Sequence, residues 1–418
     1  MDELKFGIER LDAIIKSIPF HRIVLIKGMP AVESGVFGYQ AVSYNSIHNV
    51  NVALLLNRIS PEAFLEDSKE YGLPITINKV KFLDAFTPML GINSTISSIP
   101  VKNVESADSL FNEISKNLEG SSLFILDNLS YIIDSLGEEG ALEFLSKLRA
   151  LVSQNDISSL ILLTDWGYSD DLLNKIYAIV DSVVNVGGIE KRVIFGQYFA
   201  VVKCNWLPNI PSSGVLFKVV KPGGVKVYIP KILVTGPAHA GKSSFIHSAC
   251  NVAYSANALG ETVARDIGEL HYKGYVAYLH GTPGQERFDP LLRILGEESI
   301  GVILIVDSTQ PESFPRALEM LRKSEAYGLP IVVVANKSNL PGAVSLDKIR
   351  EALHLSEDIP IIPTVAKDLS QVKPDSWTYL DEKGVFEAID ALFSQLEQSG
   401  RLEVNLNNLN KNLNNSYE

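Results

Sequence analysis

The chain has 418 residues, 46% of them hydrophobic and 21% charged, which excludes wholesale disorder and a collagen-like or coiled-coil rod. Its length predicts two or three domains, each large enough to bury its own core. Asp and Glu outnumber Lys and Arg by 49 to 37, and the net charge of −12 argues against a general binder of nucleic acid or anionic lipid.

A single nucleotide is still within reach, because a phosphate site needs only local N–H groups and one Lys. Met1-Asp2-Glu3-Leu4-Lys5 lacks the basic-then-apolar pattern of a signal peptide. No apolar run is long enough to cross a bilayer; that at 301–306 ends in Asp307. A cytoplasmic protein without a transmembrane segment is therefore expected. Cys204 and Cys250 lie in apolar segments and read as core residues.

In chain order, short apolar runs at 22–27, 52–56, 123–126 and 160–163 predict strands. Amphipathic stretches such as 138–151 predict helices between them. Alternation of this kind is the mark of an α/β fold with mostly parallel strands. The stretches 192–203, 215–221 and 225–229 then read as consecutive strands closing a domain. A second α/β series starts at 231–235 and continues at 276–279, 301–306, 331–334 and 359–362. The boundary is expected near 228–231, marked only by Pro230. The predicted domains are 1–229, 230–398 and an Asn-rich tail, 399–418. The tail reads as disordered, or as a short amphipathic helix through Leu402, Leu406, Leu409 and Leu413.

In the first half, the strand at 22–27 runs into Gly28-Met29-Pro30-Ala31-Val32-Glu33-Ser34-Gly35. That frame, the lead-in Phe6-Gly7-Ile8-Glu9-Arg10-Leu11-Asp12 and Leu123-Phe124-Ile125-Leu126-Asp127-Asn128 together resemble the RecA/KaiC-like ATPases, over about residues 1–230. The chemistry of that family is missing. Ser34 stands where the phosphate Lys belongs, and Gly35 replaces the hydroxyl that binds Mg²⁺. Glu33 would repel phosphate, and Asn57 and Arg58 occupy the places of the paired glutamates. A degenerate, non-hydrolysing scaffold is expected, with formation of homo-oligomers or docking on the second half as its surviving uses.

In the second half, Gly236-Pro237-Ala238-His239-Ala240-Gly241-Lys242-Ser243-Ser244 fits G-x-x-x-x-G-K-[ST] between a predicted strand and a predicted helix at 243–254. Backbone N–H groups there would wrap phosphate, Lys242 would reach the β- and γ-phosphates, and Ser243 would ligate Mg²⁺. Thr262 follows about twenty residues on, where a Thr in a mobile loop can ligate Mg²⁺. Gly281-Thr282-Pro283-Gly284-Gln285, Asn336-Lys337-Ser338-Asn339 and Thr364-Val365-Ala366-Lys367 each follow a predicted strand. His239 and His280 flank the site, and both read as non-catalytic.

These elements, over about 231–398, resemble the Ras-like GTPases. Thr262-Val263-Ala264-Arg265-Asp266 and Gly281–Phe288 are most similar to the prokaryotic branch related to the gliding-motility protein MglA, described as signal-recognition-particle-receptor-β-like. The resemblance implies that Gln285 orients the attacking water and the Gly284 N–H bonds the γ-phosphate. It implies that Asn336 and Lys337 frame the base, beside Val365 and Lys367, and that the Ala366 N–H meets guanine O6. The implied fold class is two P-loop NTPase-type α/β domains, the first RecA/KaiC-like and degenerate, the second Ras-like.

Two positions depart from the pattern. Gly281 stands where Ras-like proteins usually carry the Asp that holds Mg²⁺ through water; Asp266 is either a substitute ligand or a local cap. Asn339 stands where a carboxylate reads guanine N1–H and the 2-amino group, and its NH₂ cannot accept. The expectation is a switch that binds GTP or GDP with Mg²⁺, hydrolyses slowly and acts on an unnamed regulatory or effector protein. The alternatives are a nucleotide-sensing scaffold without turnover, a protein of relaxed base specificity that takes XTP or ATP, and an enzyme acting on another phosphorylated substrate. No nucleophile–base pair or metal-spaced His cluster supports the last.

Overall fold

A computed structural model of the protein describes residues 3–102, 105–190, 195–211, 213–254, 257–258, 261–262, 266–297, 299–326, 328–365, 382–399 and 403–405. One compact unit runs to Val227 and a second from Tyr228 to Glu403.

The first unit starts with α1 (Glu9–Ile15), β1 (Ile23–Gly28), α2 (Gly35–Ile47), β2 (Val52–Leu56), α3 (Pro61–Glu70), β3 (Val80–Asp84) and β4 (Ile99–Pro100). It continues with α4 (Ala107–Ser115), β5 (Leu123–Leu126), α5 (Leu129–Gln154), β6 (Ser158–Thr164), α6 (Asp170–Ile179), β7 (Ser182–Glu190), β8 (Phe195–Cys204) and β9 (Ser213–Val220). β4, β3, β2, β5, β6, β1 and β7 pair side by side and parallel. β8 and β9 then extend the sheet antiparallel. β6 lies between β1 and β5, the RecA-type order. The parallel strands are buried on both faces and so read as continuous apolar runs, burial of β2 being complete.

α2 is buried along nearly its whole length, and its Phe37 meets Phe199 and Phe217 edge-on at 5.8 and 5.4 Å between ring centres. α5 breaks at Gly137, whose φ of 72° is left-handed, so the predicted helix at 138–151 is its second segment. Asn128 caps the start of α5, its Oδ1 accepting from the Ser130 N–H at 2.8 Å. The short apolar stretch of β3 was not foreseen, because Lys81 and Asp84 dilute its pattern.

β10 (Gly224–Thr235) changes partner along its length. Gly224–Val227 pairs antiparallel with β9, and Ile232–Thr235 pairs parallel with β16 (Gly301–Asp307). Pro230, the expected boundary, therefore lies inside one continuous strand.

The second unit continues with α7 (Lys242–Ala249), β11 (Val252–Tyr254), β12 (Asn257–Ala258), β13 (Glu261–Thr262), β14 (Ile267–Tyr272), β15 (Tyr275–Gly281) and α8 (Asp289–Gly296). After β16 come α9 (Phe314–Lys323), β17 (Ile331–Asn336), α10 (Leu346–Ala352), β18 (Ile361–Pro363) and α11 (Glu382–Gln398). The strand order is β11, β14, β15, β10, β16, β17, β18, with β14 and β15 forming an antiparallel hairpin. α9 and α10 cover one face through Phe314, Ala317 and Ile349. Leu392 of α11 sits over Gly301, on the alternate side of the strand. The predicted helix at 243–254 ends early, since Val252, Ala253 and Tyr254 pair with β14 instead.

Cys204 is buried as expected, but Cys250 is only half-buried, at the end of α7. The tail leucines 402, 406, 409 and 413 lie outside the described residues. No helix among the described residues is long and apolar enough to cross a membrane.

Phe37→Ala should destabilise the first unit by about 3–5 kcal/mol, since the ring is fully buried among two others. Denaturant unfolding of the full chain checks this; a loss below about 1 kcal/mol would show that the aromatic cluster is not a packing centre.

Candidate functional site

β10, β16, β17 and β18 are parallel, so the loops after them share one edge of the sheet, the usual ligand edge of an open α/β fold. The phosphate loop leaves β10 after Thr235 and enters α7 at Lys242. Gly241 caps α7 with a φ of 103°, and a Cβ there would fall 2.2 Å from Asn336 Nδ2. Only glycine fits both the dihedral and the contact.

Lys242 is buried, and its ammonium donates to the Gly236 and Pro237 carbonyls at 2.8 and 2.7 Å. Burial pulls its pKa down to about 8, and the Asp266 carboxylate opposes that shift. A phosphate beside it would favour the charged form. Pro237 and Ala240 are buried, Ala238 and Ser244 half-buried and His239 exposed. Ser243 donates to Asp266 Oδ2 at 2.6 Å.

The loop after β15 folds back on this cradle. The Thr282 N–H bonds the Val234 carbonyl at 2.9 Å, and the Thr282 and Thr235 hydroxyls meet at 3.0 Å. Gly284 lies so near the phosphate loop that a Cβ would sit 2.4 Å from the Ala238 nitrogen. Gln285 is half-buried and opens a 3₁₀ turn at Glu286–Phe288. His280 keeps a buried ring Nδ1 without a partner.

The base-side loop is bolted to the phosphate loop. Asn336 Nδ2 donates to the Ala240 carbonyl at 2.8 Å, while its Oδ1 accepts from Lys337 N–H at 2.8 Å and Thr364 Oγ1 at 3.1 Å. Lys337 reaches the His239 carbonyl at 3.2 Å and Asp307 Oδ2 at 2.5 Å. Burial works against the Asp307 carboxylate, but bonds from Lys337 and Thr309 hold its pKa below the usual range. The sequence reading missed Asp307 as a site residue. Its signal was an acid ending an apolar strand, opposite Asn336 in the register. Asn339 is exposed and Val365 half-buried. Ala366 and Lys367 lie outside the described residues, and of Thr262 only the backbone is described, paired with Asn257.

The corresponding edge of the first unit carries a different arrangement. A cavity of about 260 Å³ is lined by Ser34, Gly35, Tyr39, Arg58, Asp127 and neighbours. Arg58 Nε lies 3.5 Å from Asp127 Oδ2, so a guanidinium stands beside the acid that ends β5. Burial pushes the Asp127 pKa up, and Arg58 counters it. Glu33 is turned to Gln197, accepting from its Nε2 at 2.8 Å. Asn57 is buried and donates to the Asn128 carbonyl at 2.8 Å. Among the described residues, no group of three His, Cys, Asp or Glu converges to hold a metal ion.

Asn336→Ala should cost about 1–3 kcal/mol by leaving buried partners unpaired. Thr364→Val alone should cost less, and the double variant less than the sum, because both changes break one network. Denaturant unfolding of the three variants measures this; strict additivity would mean the two side chains act separately.

Residues 224–396 match the model of the ADP-ribosylation factor family. Over 133 residues the chain is 31% identical to ADP-ribosylation factor-like protein 2 of Drosophila melanogaster, spanning 31% of this chain and 71% of that protein. A KaiC-like protein from the hyperthermophilic archaeon Pyrococcus horikoshii OT3 overlaps 54% of this chain and 99% of its own, at 17% identity and a TM-score of 0.46. The flagellar accessory protein FlaH from Methanocaldococcus jannaschii overlaps 54% and 97%, at 13% identity and a TM-score of 0.42. Within the Ras-like GTPases the sequence resemblance leaned to the MglA-related branch, whereas the matching family model is that of the ADP-ribosylation factors. Through residues 224–396, the chain belongs to the ADP-ribosylation factor family.

Proposed function

We propose that the second unit binds a guanine nucleotide with Mg²⁺ and hydrolyses GTP slowly, as a molecular switch, and that the first unit is a non-catalytic scaffold. The observation that carries this reading is the buried Lys242 ammonium, which donates to two phosphate-loop carbonyls at the ligand edge of the sheet. Those bonds are ones a phosphate can replace with a stronger, charge-assisted contact.

Gly284 would present its N–H to the γ-phosphate, since it already lies against the phosphate loop. Gln285 follows it at the start of a short turn and would orient water for in-line attack. Asn336 and Lys337 would frame the base from a loop fixed to the phosphate loop. The donor set fits Mg²⁺: the Ser243 hydroxyl lies against a buried carboxylate, Asp266, with one oxygen unpartnered. When bound, the ion would neutralise charge building on the β- and γ-phosphate oxygens. The first unit lacks every cationic group needed at its own phosphate-loop position, and Arg58 stands beside Asp127 where a metal would otherwise balance that acid.

Nucleotide sensing without turnover is the second reading. It is favoured by Gly281, which supplies no carboxylate, and by Asn339, which cannot accept from both guanine donors. Hydrolysis at saturating Mg²⁺ separates the two readings: phosphate release faster than the uncatalysed rate, and lost with Gln285→Leu, supports the switch.

Titration calorimetry with GTP, XTP and ATP tests the binding itself. GTP should bind, and Lys242→Ala should abolish binding. Asn339→Asp should tighten GTP by about ten- to hundredfold as the unpaired donors find an acceptor. A wild-type protein that prefers XTP, or an Asn339→Asp variant with unchanged GTP affinity, would overturn guanine recognition by this loop.

A further inference from the structure

The second unit has no side chain at position 281, yet the space is not vacant. A Cβ built on Gly281 would meet Ile246 Cδ1 at 3.0 Å, Asp266 Cβ at 3.1 Å and Asp266 Oδ2 at 3.4 Å. Asp266 and Ile246 thus share the space beside position 281, and Asp266 brings a carboxylate to it. It is delivered there by the backbone: the Gly281 N–H bonds the Asp266 carbonyl at 2.8 Å, where β14 begins beside the end of β15.

The carboxylate is 3% exposed at residue level, and its two oxygens differ. Oδ2 accepts from Ser243 Oγ at 2.6 Å. Oδ1 is buried without any hydrogen-bond partner. A local cap or a structural acceptor for Ser243 needs only the first oxygen. A buried carboxylate oxygen left bare is costly, and a cation beside it removes that cost.

We propose that Asp266 is the carboxylate that positions Mg²⁺ beside Ser243, in place of the missing acid at 281. The inference rests on the nucleotide-binding reading above. Asp266 is a positioning residue, acting on the ion directly or through a bound water, and an exchange of two positions in sequence leaves one acid in the same place.

The test is the release of fluorescent GDP from the full chain as Mg²⁺ is titrated after chelation. The wild type should release GDP more slowly as Mg²⁺ rises. Asp266→Asn should shift the Mg²⁺ midpoint upward by about 10- to 100-fold, the range for losing a group that holds a metal's ligands. The double variant Asp266→Gly/Gly281→Asp should move the midpoint back toward wild type, because Gly removes both the carboxylate and the Cβ that would crowd a side chain at 281. An unchanged midpoint in Asp266→Asn overturns the inference while leaving nucleotide binding intact. A wild type that binds no GDP overturns the parent reading as well, and is seen before any Mg²⁺ is added. If Asp266→Asn fails to fold, the wild-type GDP complex with Fe²⁺ in place of Mg²⁺, treated with ascorbate and hydrogen peroxide, decides: cleavage at 266 supports the assignment, and cleavage only elsewhere, or none while Fe²⁺ slows GDP release, overturns it.

Discussion

One buried positive charge organises the second unit. Lys242 has left water, and its pKa has fallen to about 8 as a result. Two loop carbonyls compensate it in part. On the proposed reading the cost is offset when a phosphate takes the place of those carbonyls, through a stronger, charge-assisted contact. Much around it serves to hold that geometry. Gly241 lets α7 start at the right point, Asn336 ties the base-side loop to Ala240, and Thr282 ties the loop after β15 to β10. The parallel register of β10, β16 and β17 then brings these loops to one edge.

The two units share an architecture and differ in electrostatics. Both present loops at the ends of parallel strands, with a helix following the first strand. In the second, the loop beside that helix carries a buried cation facing the edge. In the first, Ser34 and Glu33 replace it, and Glu33 is engaged by Gln197. Asp127 keeps its place at the end of β5, but its balancing charge is Arg58 from the end of β2. An internal guanidinium thus stands beside that buried acid. The first unit keeps a packed core, with Phe37, Phe199 and Phe217 in mutual contact, and the proposed scaffold role needs no more than that core.

Much of this was legible in the residues. The buried strands announced themselves as apolar runs, and the phosphate loop as spaced glycines before Lys242. The order of the later loops placed Gln285 and Asn336 correctly at strand ends. Other features were not legible, for physical reasons. A continuous strand through Pro230 depends on partners that come from distant sequence. The early end of α7 depends on β14, which draws Val252–Tyr254 into pairing. Asp307 looks like an ordinary acid in a single sequence, and Asp266 is open there between a substitute ligand and a local cap. Their positions, Asp307 opposite Asn336 and Asp266 beside 281, exist only once the strands are paired.

The central claim is an unequal pair: one working nucleotide site and one that has given up its ligand. The number of guanine nucleotides bound per chain at saturation, measured on the full-length protein and on Lys242→Ala, tests it most directly. The account predicts one nucleotide in the wild type and none in the variant. Two nucleotides in the wild type, or one that survives in Lys242→Ala, would contradict it.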